Sequence, residues 1–292
     1  MHVHDRADFI PLPRRPRLSW PNGARLAVWV VPNIEYYDPE SLAGLTIATV
    51  ASEPPDIPNH TWREYGQRVG IWRTMRTLDS LGIRGTVALN GQVCEAYPEV
   101  VEACVERGWE LMGHNWDNTN SLPGMAEAKE RDIIGRTLST IERTAGRRPT
   151  GWLGTGLAET SRTLEILVDN GVEYVGDWVN DEQPYPLRTA SGPIVSMPYS
   201  IEINDIGIFM RRGFTGPQYG EMLRDQFDVL YDEAAETAKV MCIALHPPIT
   251  GVPFRAKHLE EALRYMTQRE GVWFATGSEI LAAYQAAVAV PA

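Results

Sequence analysis

The chain has 292 residues, 43% of them hydrophobic and 22% charged, which is ordinary globular usage and excludes a disordered or fibrous protein. Its formal net charge of −11 argues against nucleic acid or an anionic membrane surface as a partner, so a small-molecule substrate is expected. The sequence contains no bilayer-spanning apolar run, no apolar N-terminal signal and no paired cysteine spacing, and we therefore expect a cytoplasmic protein with reduced thiols.

The predicted elements alternate between strands and helices along the whole chain. A lead-in over residues 1–22 precedes an apolar run over 24–31 that is typical of a strand buried on both faces. A loop over 38–60 follows, and apolar residues at helical spacing then predict a helix over 62–81. Further strands are predicted over 85–89, 110–113, 151–153, 174–177, 194–197, 240–245 and 272–275. Further helices are predicted over 98–107, 126–144, 160–170, 217–239, 256–268 and 278–286.

This alternation favours an α/β barrel that forms a single domain over residues 1–292. Strands that alternate with helices of ten or more residues form parallel β-α-β units, and seven or eight such units close into a barrel. A doubly wound open sheet uses the same alternation, but it carries a glycine-rich phosphate loop after its first strand. Here the segment Pro32-Asn-Ile-Glu-Tyr-Tyr37 follows the first strand and contains no glycine, so the barrel is favoured.

Titratable side chains follow several predicted strands, at the end of a parallel barrel where active sites lie. A single histidine or aspartate at such a position is more often structural, and it is the coincidence of several that indicates catalysis. These candidates are Glu35, His114, Asp117, Asp177, Asp181 and His246.

Three tryptophans, Trp116, Trp152 and Trp178, lie at or just after the same strand ends. Indole rings in that position form flat walls for a ring-shaped ligand, or they simply fill the top of the barrel. We keep both interpretations open at this point and include the three residues among the candidate substrate-binding residues.

The strand-end motifs resemble the polysaccharide-deacetylase superfamily (NodB, carbohydrate esterase family 4), which implies an irregular (β/α)7–8 barrel of the NodB-homology type. The resemblance covers nearly the whole chain and is closest to the allantoinase and cyclic-imide-hydrolase branch. The motifs that carry it are Trp62-Arg-Glu-Tyr-Gly-x-Arg-Val-Gly-x-Trp-Arg73, Glu110-Leu-Met-Gly-His114, Gly151-Trp152, Asp177-Trp-x-x-Asp181-x-Gln-Pro184 and His246-Pro.

The chain departs from the metal-dependent members of that superfamily at two ligand positions. Those members have a T-F-D-D-G motif after the first strand, with a base and then a metal ligand, and two histidines four residues apart after the third strand. Here Glu35 stands at the base position, Tyr36 replaces the metal carboxylate and Asn118 replaces the second histidine. The resemblance therefore implies an enzyme without a metal cofactor. If zinc is bound, its candidate ligands are His114, His246 and Asp117.

The resemblance implies a hydrolase that opens a C–N bond of a small cyclic amide, ureide or imide. Glu35 is the expected base for water attack, with a pKa raised by apolar surroundings, and His114 or His246 is expected to stabilise the oxyanion or protonate the leaving nitrogen. Asn118 and Asp181 are expected to hold the N–H and C=O groups of the ring, and Asp177 is a further candidate substrate-binding residue.

Two other functions stay open at this point. The first is a metal-dependent N-deacetylase that acts on peptidoglycan or another N-acetylated saccharide. The second is an inactive barrel that serves as a binding module, which the presence of Glu35 and both strand-end histidines disfavours. The resemblance also implies a homo-oligomer.

Overall fold

The computed structural model of the protein describes residues 3–289, so the first two and last three residues of the predicted domain lie outside the described residues. Nine strands within this part of the chain form one sheet, in the order β6-β7-β5-β4-β3-β2-β1-β8, with β9 also paired to β1. The strands are β1 (Leu26–Ile34), β2 (Thr86–Leu89), β3 (Glu110–Gly113), β4 (Gly151–Trp152), β5 (Tyr174–Val175), β6 (Tyr185–Leu187), β7 (Ile194–Ser196), β8 (Lys239–Leu245) and β9 (Val272–Phe274).

Helices lie on the outer face of this curled sheet. They are α1 (Ile57–Tyr65), α2 (Ile71–Ser80), α3 (Val93–Ala96), α4 (Pro98–Glu106), α5 (Glu127–Ala145), α6 (Thr163–Asp169), α7 (Gly216–Glu233), α8 (Pro247–Thr250), α9 (Pro253–Thr267) and α10 (Gly277–Ala289). The chain also contains two π-helical turns, Gly66–Gly70 and Ile206–Arg211, and short 3-10 turns in the lead-in and after β4. No helix in the described part of the chain is both long and apolar enough to cross a membrane.

Strand β1 is the centre of the barrel because it pairs with three neighbours. Strand β8 pairs with nearly the whole length of β1, β2 pairs with the carboxyl end of β1, and β9 pairs with the amino end of β1. All three pairings are parallel. Among the described strands, only β6 and β7 pair in antiparallel fashion. The irregular barrel predicted from the alternation of strands and helices is confirmed.

Side-chain alternation along the strands separates an inner from an outer core. Residues such as Trp29, Met112, Leu153 and Tyr174 come from different strands and pack into one buried cluster, which fills the barrel. Their neighbours along the strands, such as Val28 and Val30, pack instead beneath the surrounding helices. The barrel interior is thus a packed core, and function is left to its open end.

The opposite end of the barrel is covered by the lead-in. Trp20 is buried and donates a hydrogen bond from Nε1 to the Lys239 carbonyl, 2.8 Å away, at the amino end of β8. Between β8 and β6, the Val240 N–H donates to the Glu182 carbonyl over 2.9 Å and bridges the gap that strand pairing leaves. Both contacts leave the carboxyl ends of the strands as the accessible face.

The helix predicted over 62–81 is wrong in its start and in its continuity. It begins at Ile57, inside the predicted loop over 38–60, because Pro58 stands in the first turn, where a missing N–H costs nothing. A π-helical turn then interrupts it at Gly66–Gly70. A Cβ atom at Gly66 would lie 2.6 Å from Pro248 Cδ, so the glycine permits close packing of this turn on α8. Strand β6, short helices α3 and α8, and the second π-helical turn were not predicted, because such short elements carry little periodicity.

Candidate active site

The carboxyl ends of three strands bring one carboxylate and two imidazoles together. Glu35 follows β1, His114 follows β3 and His246 follows β8. Glu35 Oε1 lies 3.5 Å from Nε2 of His114 and 3.6 Å from Nε2 of His246. The three side chains are 9%, 3% and 4% exposed, respectively. The residues predicted to be catalytic therefore share one buried site, and their individual roles stay predictions.

Each histidine is oriented by a partner on its other ring nitrogen. His114 Nδ1 lies 2.6 Å from the Leu153 carbonyl, which can only accept a proton, so Nδ1 carries the hydrogen. His246 Nδ1 lies 2.6 Å from Asp205 Oδ1, and Asp205 Oδ2 accepts hydrogen bonds from the His246 backbone N–H at 2.7 Å and from the Thr250 hydroxyl. Both Nε2 atoms consequently face Glu35.

Asp205 was not predicted from the sequence. It is fully buried at the start of the second π-helical turn, far along the chain from the strand end that carries His246. It does not directly follow a predicted strand, since the strand predicted over 194–197 ends eight residues before it. The only signal in the sequence is a lone acidic residue ahead of the apolar segment Ile206-Gly-Ile-Phe209.

The charges of these groups are set by one another rather than by burial. Burial on its own would raise the pKa of Glu35, but the charge of His246 and the close approach of both imidazole rings hold it well below its usual range. Burial on its own would lower the pKa of His246, but the carboxylates of Asp205 and Glu35 raise it to about 10. The raised pKa expected for Glu35 is wrong, because imidazoles and not apolar surfaces face the carboxylate.

A hydrogen-bond chain holds the other oxygen of Glu35. The Tyr37 hydroxyl donates to Glu35 Oε2 over 2.6 Å, and Asn118 Nδ2 donates to the Tyr37 oxygen over 3.3 Å. Burial raises the pKa of Tyr37 well above its ordinary value, so the phenol stays a neutral donor. Asn118 Oδ1 accepts from Thr155 Oγ1 at 3.1 Å. Asn118 thus lies close to the site but is already engaged with protein partners.

A carboxyl pair lies beyond His114. Asp177 Oδ1 accepts the Gly154 N–H at 2.7 Å, and burial raises the pKa of Asp177 to about 6. Burial and the charge of Asp177 raise the pKa of Glu159 well above its ordinary value. Trp178 Nε1 donates to Glu159 Oε1 over 3.1 Å. Asp177 and Trp178 therefore belong to a network that is joined to His114 through the Leu153–Gly154 backbone. Glu159 was not predicted.

Trp116 and Trp152 do not line the site. The Trp116 ring is covered by the Arg136 guanidinium, 3.4 Å from the ring centroid, on helix α5. Trp152 is fully buried in the outer cluster beneath α5 and α6. Alternation along β4 turns its neighbour Leu153 into the barrel and therefore turns Trp152 outward. Neither ring therefore stands where it would form a flat wall for a ring-shaped ligand.

Asp181 and Asp117 are turn residues in the structure. Asp181 Oδ1 pairs with Arg15 at 2.6 Å and accepts the backbone N–H groups of the next two residues, which ties the lead-in to the barrel. Asp117 Oδ1 accepts the backbone N–H groups of Thr119 and Asn120, both at 2.8 Å. Neither carboxylate is directed at Glu35, so we assign neither to substrate or metal.

A small open pocket adjoins Glu35. Helix α1 and the π-helical turn after it supply four of its eight lining residues, none of which follows a predicted strand. Its lining residues are Glu35, Tyr36, Tyr37, His60, Arg63, Glu64, Gln67 and Tyr97. The motif 62–73 of the sequence is the signal that marks this wall.

Comparisons with known proteins assign the family. A model of the polysaccharide deacetylase family matches residues 64–175. A Schizosaccharomyces pombe protein named "Putative polysaccharide deacetylase" is 31% identical over 91% of this chain and 92% of its own length. The chain belongs to the polysaccharide deacetylase family. A peptidoglycan deacetylase of Helicobacter pylori is 23% identical over 74% of this chain and 84% of its own.

The crystal structure of PuuE allantoinase matches this family member with a TM-score of 0.87. The two chains are 29% identical, and the match covers 95% of this chain and 96% of that one. These relationships make the protein a hydrolase of C–N bonds other than peptide bonds.

The metal-ligand positions of the polysaccharide deacetylase family do not fit a cation here. Tyr36 stands at one of them, and its ring lies against Tyr97 with ring centroids 6.4 Å apart. Asn118 stands at another, with its amide bound to Tyr37 and Thr155. Within residues 3–289, no group of three or more His, Cys, Asp or Glu side chains is arranged to hold a metal ion. A phenol and an engaged amide are poor ligands for zinc, so these two positions do not form a zinc site.

Proposed function

We propose that this member of the polysaccharide deacetylase family opens a C–N bond of a small cyclic amide, ureide or imide. The supporting observation is the buried Glu35–His246–Asp205 array beside a small open pocket. The likeness to PuuE allantoinase points in the same direction.

The proposed reaction uses Glu35 and His246 as base and acid. Glu35 takes a proton from water, and the resulting hydroxide attacks the ring carbonyl carbon. His246, which carries a proton at neutral pH because of its raised pKa, then donates it to the ring nitrogen as the C–N bond breaks. The ring opens to a chain with a carboxyl group at one end and the freed nitrogen at the other. The lowered pKa keeps Glu35 ionised and the raised pKa keeps His246 protonated at neutral pH, which are the charge states that these two roles require.

His114 has a different task in this proposal. Its Nδ1 is held by the Leu153 carbonyl, so Nε2, which lies 3.5 Å from Glu35 Oε1, is the ring atom left to face the attacking water. We therefore assign His114 to orienting the water, and His246 to the departing nitrogen.

We further propose that the reaction needs no metal, since Tyr36 and Asn118 replace two ligands. The test is hydrolysis of allantoin, hydantoin, succinimide and a dihydropyrimidine with and without exhaustive EDTA treatment. We expect turnover of at least one ring and equal rates in both arms. Loss of activity in EDTA and its return with zinc would replace this proposal with metal-dependent chemistry.

Metal-dependent N-deacetylation of peptidoglycan or another N-acetylated saccharide is the second candidate. The likeness to the Helicobacter pylori peptidoglycan deacetylase supports it. Release of acetate from N-acetylated oligosaccharides, assayed beside the ring panel, distinguishes the two. Cytoplasmic location and homo-oligomer formation stay predictions, which cell fractionation and light scattering of the purified protein test.

A further inference from the structure

We propose that Gln67 selects substrates whose ring carries an unsubstituted N–H, with its side-chain carbonyl oxygen as the acceptor; this inference rests on the proposed cyclic-amide function. Gln67 is 6% exposed and lines the pocket next to Glu35. Its Oε1 atom is buried and has no hydrogen-bond partner among the described residues. A buried acceptor without a partner is costly, and a ligand N–H removes that cost.

The orientation of the Gln67 amide is fixed by its other end. Nε2 donates to the Glu35 backbone carbonyl over 2.8 Å. Rotating the amide by 180° would place two acceptor oxygens against each other, so Oε1 must point away from that carbonyl. The same contact links the acceptor to the residue that carries the proposed base. A ring N–H bound by Gln67 therefore lies beside Glu35.

The backbone around Gln67 is also held in place. Gln67 lies in the π-helical turn Gly66–Gly70, a feature that often occurs at functional sites. A Cβ atom at Gly70 would lie 2.2 Å from the Pro247 carbonyl oxygen, so this turn is packed directly on α8. Pro247 itself follows His246 in the chain. This contact joins the turn that carries the acceptor to the residue that follows the proposed acid.

Arg63 supplies the complementary donor in the same pocket. It precedes Gln67 by one helical turn, and both residues line the pocket. Its Nε and Nη1 donate to the carbonyls of Asn59 and Ala43, each at 3.1 Å, and no carboxylate of the described chain pairs with it. A guanidinium and a carboxamide oxygen on one wall match the adjacent C=O and N–H of a cyclic amide. An acyclic N-acetyl group is trans and presents these groups on opposite sides.

The test compares succinimide with N-methylsuccinimide at pH 7, because the methyl group removes the only N–H of the ring. We expect wild-type kcat/KM to favour succinimide by about 10²- to 10⁴-fold, since a site built to bind an N–H rejects an analogue that lacks it. In Gln67→Met this preference should fall to within about tenfold. Gln67→Ala should likewise lose the preference and make room for the methyl group. Gln268→Met, an exposed change at the far end of the barrel, should keep the wild-type ratio.

The preference is a ratio within one protein sample, so partial misfolding of a variant does not alter it. Equal wild-type rates on the two imides would overturn the role of Gln67 while leaving cyclic-amide hydrolysis intact. A ratio unchanged in Gln67→Met would do the same. If wild-type protein hydrolyses no ring of the panel but deacetylates saccharides, the proposed function and this inference both fall.

Discussion

Replacing Asp205 by asparagine should move the alkaline limit of activity to lower pH. The Asp205 carboxylate lies 2.6 Å from His246 Nδ1 and is one of the two charges that raise the pKa of His246 to about 10. An opposite charge at this distance shifts a pKa by roughly 1–3 units. Taking a shift of about two units, we expect the imidazole of the variant to titrate at about pH 8. Two units correspond to about 2.7 kcal/mol of lost stabilisation of the imidazolium.

The assay is the pH dependence of kcat/KM on a ring that the wild-type protein hydrolyses. Activity needs Glu35 ionised, which its lowered pKa ensures throughout the neutral range, and His246 protonated. Wild-type activity should therefore be level through neutral pH and fall as the pH rises through about 10. At about pH 9 the wild-type imidazole is mostly protonated, whereas that of Asp205→Asn is mostly neutral. The kcat/KM of the variant relative to wild type should therefore be about tenfold lower at pH 9 than at neutral pH. Asp232→Asn, on the exposed face of α7, is the matched control.

The pH dependence of the free energy of unfolding provides a second measurement, and it should shift to lower pH in the variant as the activity does. Because the folded-state pKa of His246 lies above the unfolded value of 6.5, its contribution to stability is complete below pH 6.5 and is lost as the pH rises through about 10. In Asp205→Asn that loss should be complete at lower pH. An alkaline limb that stays at the wild-type position in a folded Asp205→Asn variant would refute His246 as the acid tuned by Asp205.

Three further predictions follow from the same site. Glu35→Gln removes the base, so kcat should fall roughly 10²- to 10⁴-fold, while the exposed control Glu236→Gln stays active; a fully active Glu35→Gln enzyme would rule out the role. Asp177 has a folded-state pKa of about 6, above its ordinary 3.8, so its contribution to stability is lost as the pH rises through 6. Asp177→Asn keeps an acceptor for Gly154 and should remove most of the fall in melting temperature between pH 4 and about 7.5. The same fall in the variant as in wild type would contradict the raised pKa of Asp177. Tyr36→Asp with Asn118→His should introduce zinc binding and abolish ring hydrolysis, which calorimetry and the ring panel measure together.

The sequence by itself determined the barrel and the place of its chemistry. Alternating strand and helix patterns are local signals, and parallel strands necessarily end on the same face of a sheet. That is why Glu35, His114 and His246 were predicted to meet, although they are widely separated in the chain. The replacement of two metal ligands by Tyr36 and Asn118 was equally visible, since it needs only the motif and its spacing.

Only the tertiary structure decided how those residues are tuned. Asp205 reaches His246 across 41 residues, and no periodicity announces a buried carboxylate in a segment without a regular strand. The sign of the pKa shift at Glu35 depended on which groups face it, and imidazoles reverse the effect of burial. Trp152 turned outward because one residue of strand register decides the face. The free acceptor of Gln67 arose because its amide is anchored to the backbone of Glu35. Pairwise contacts between distant segments set each of these properties, and local sequence patterns do not encode such contacts.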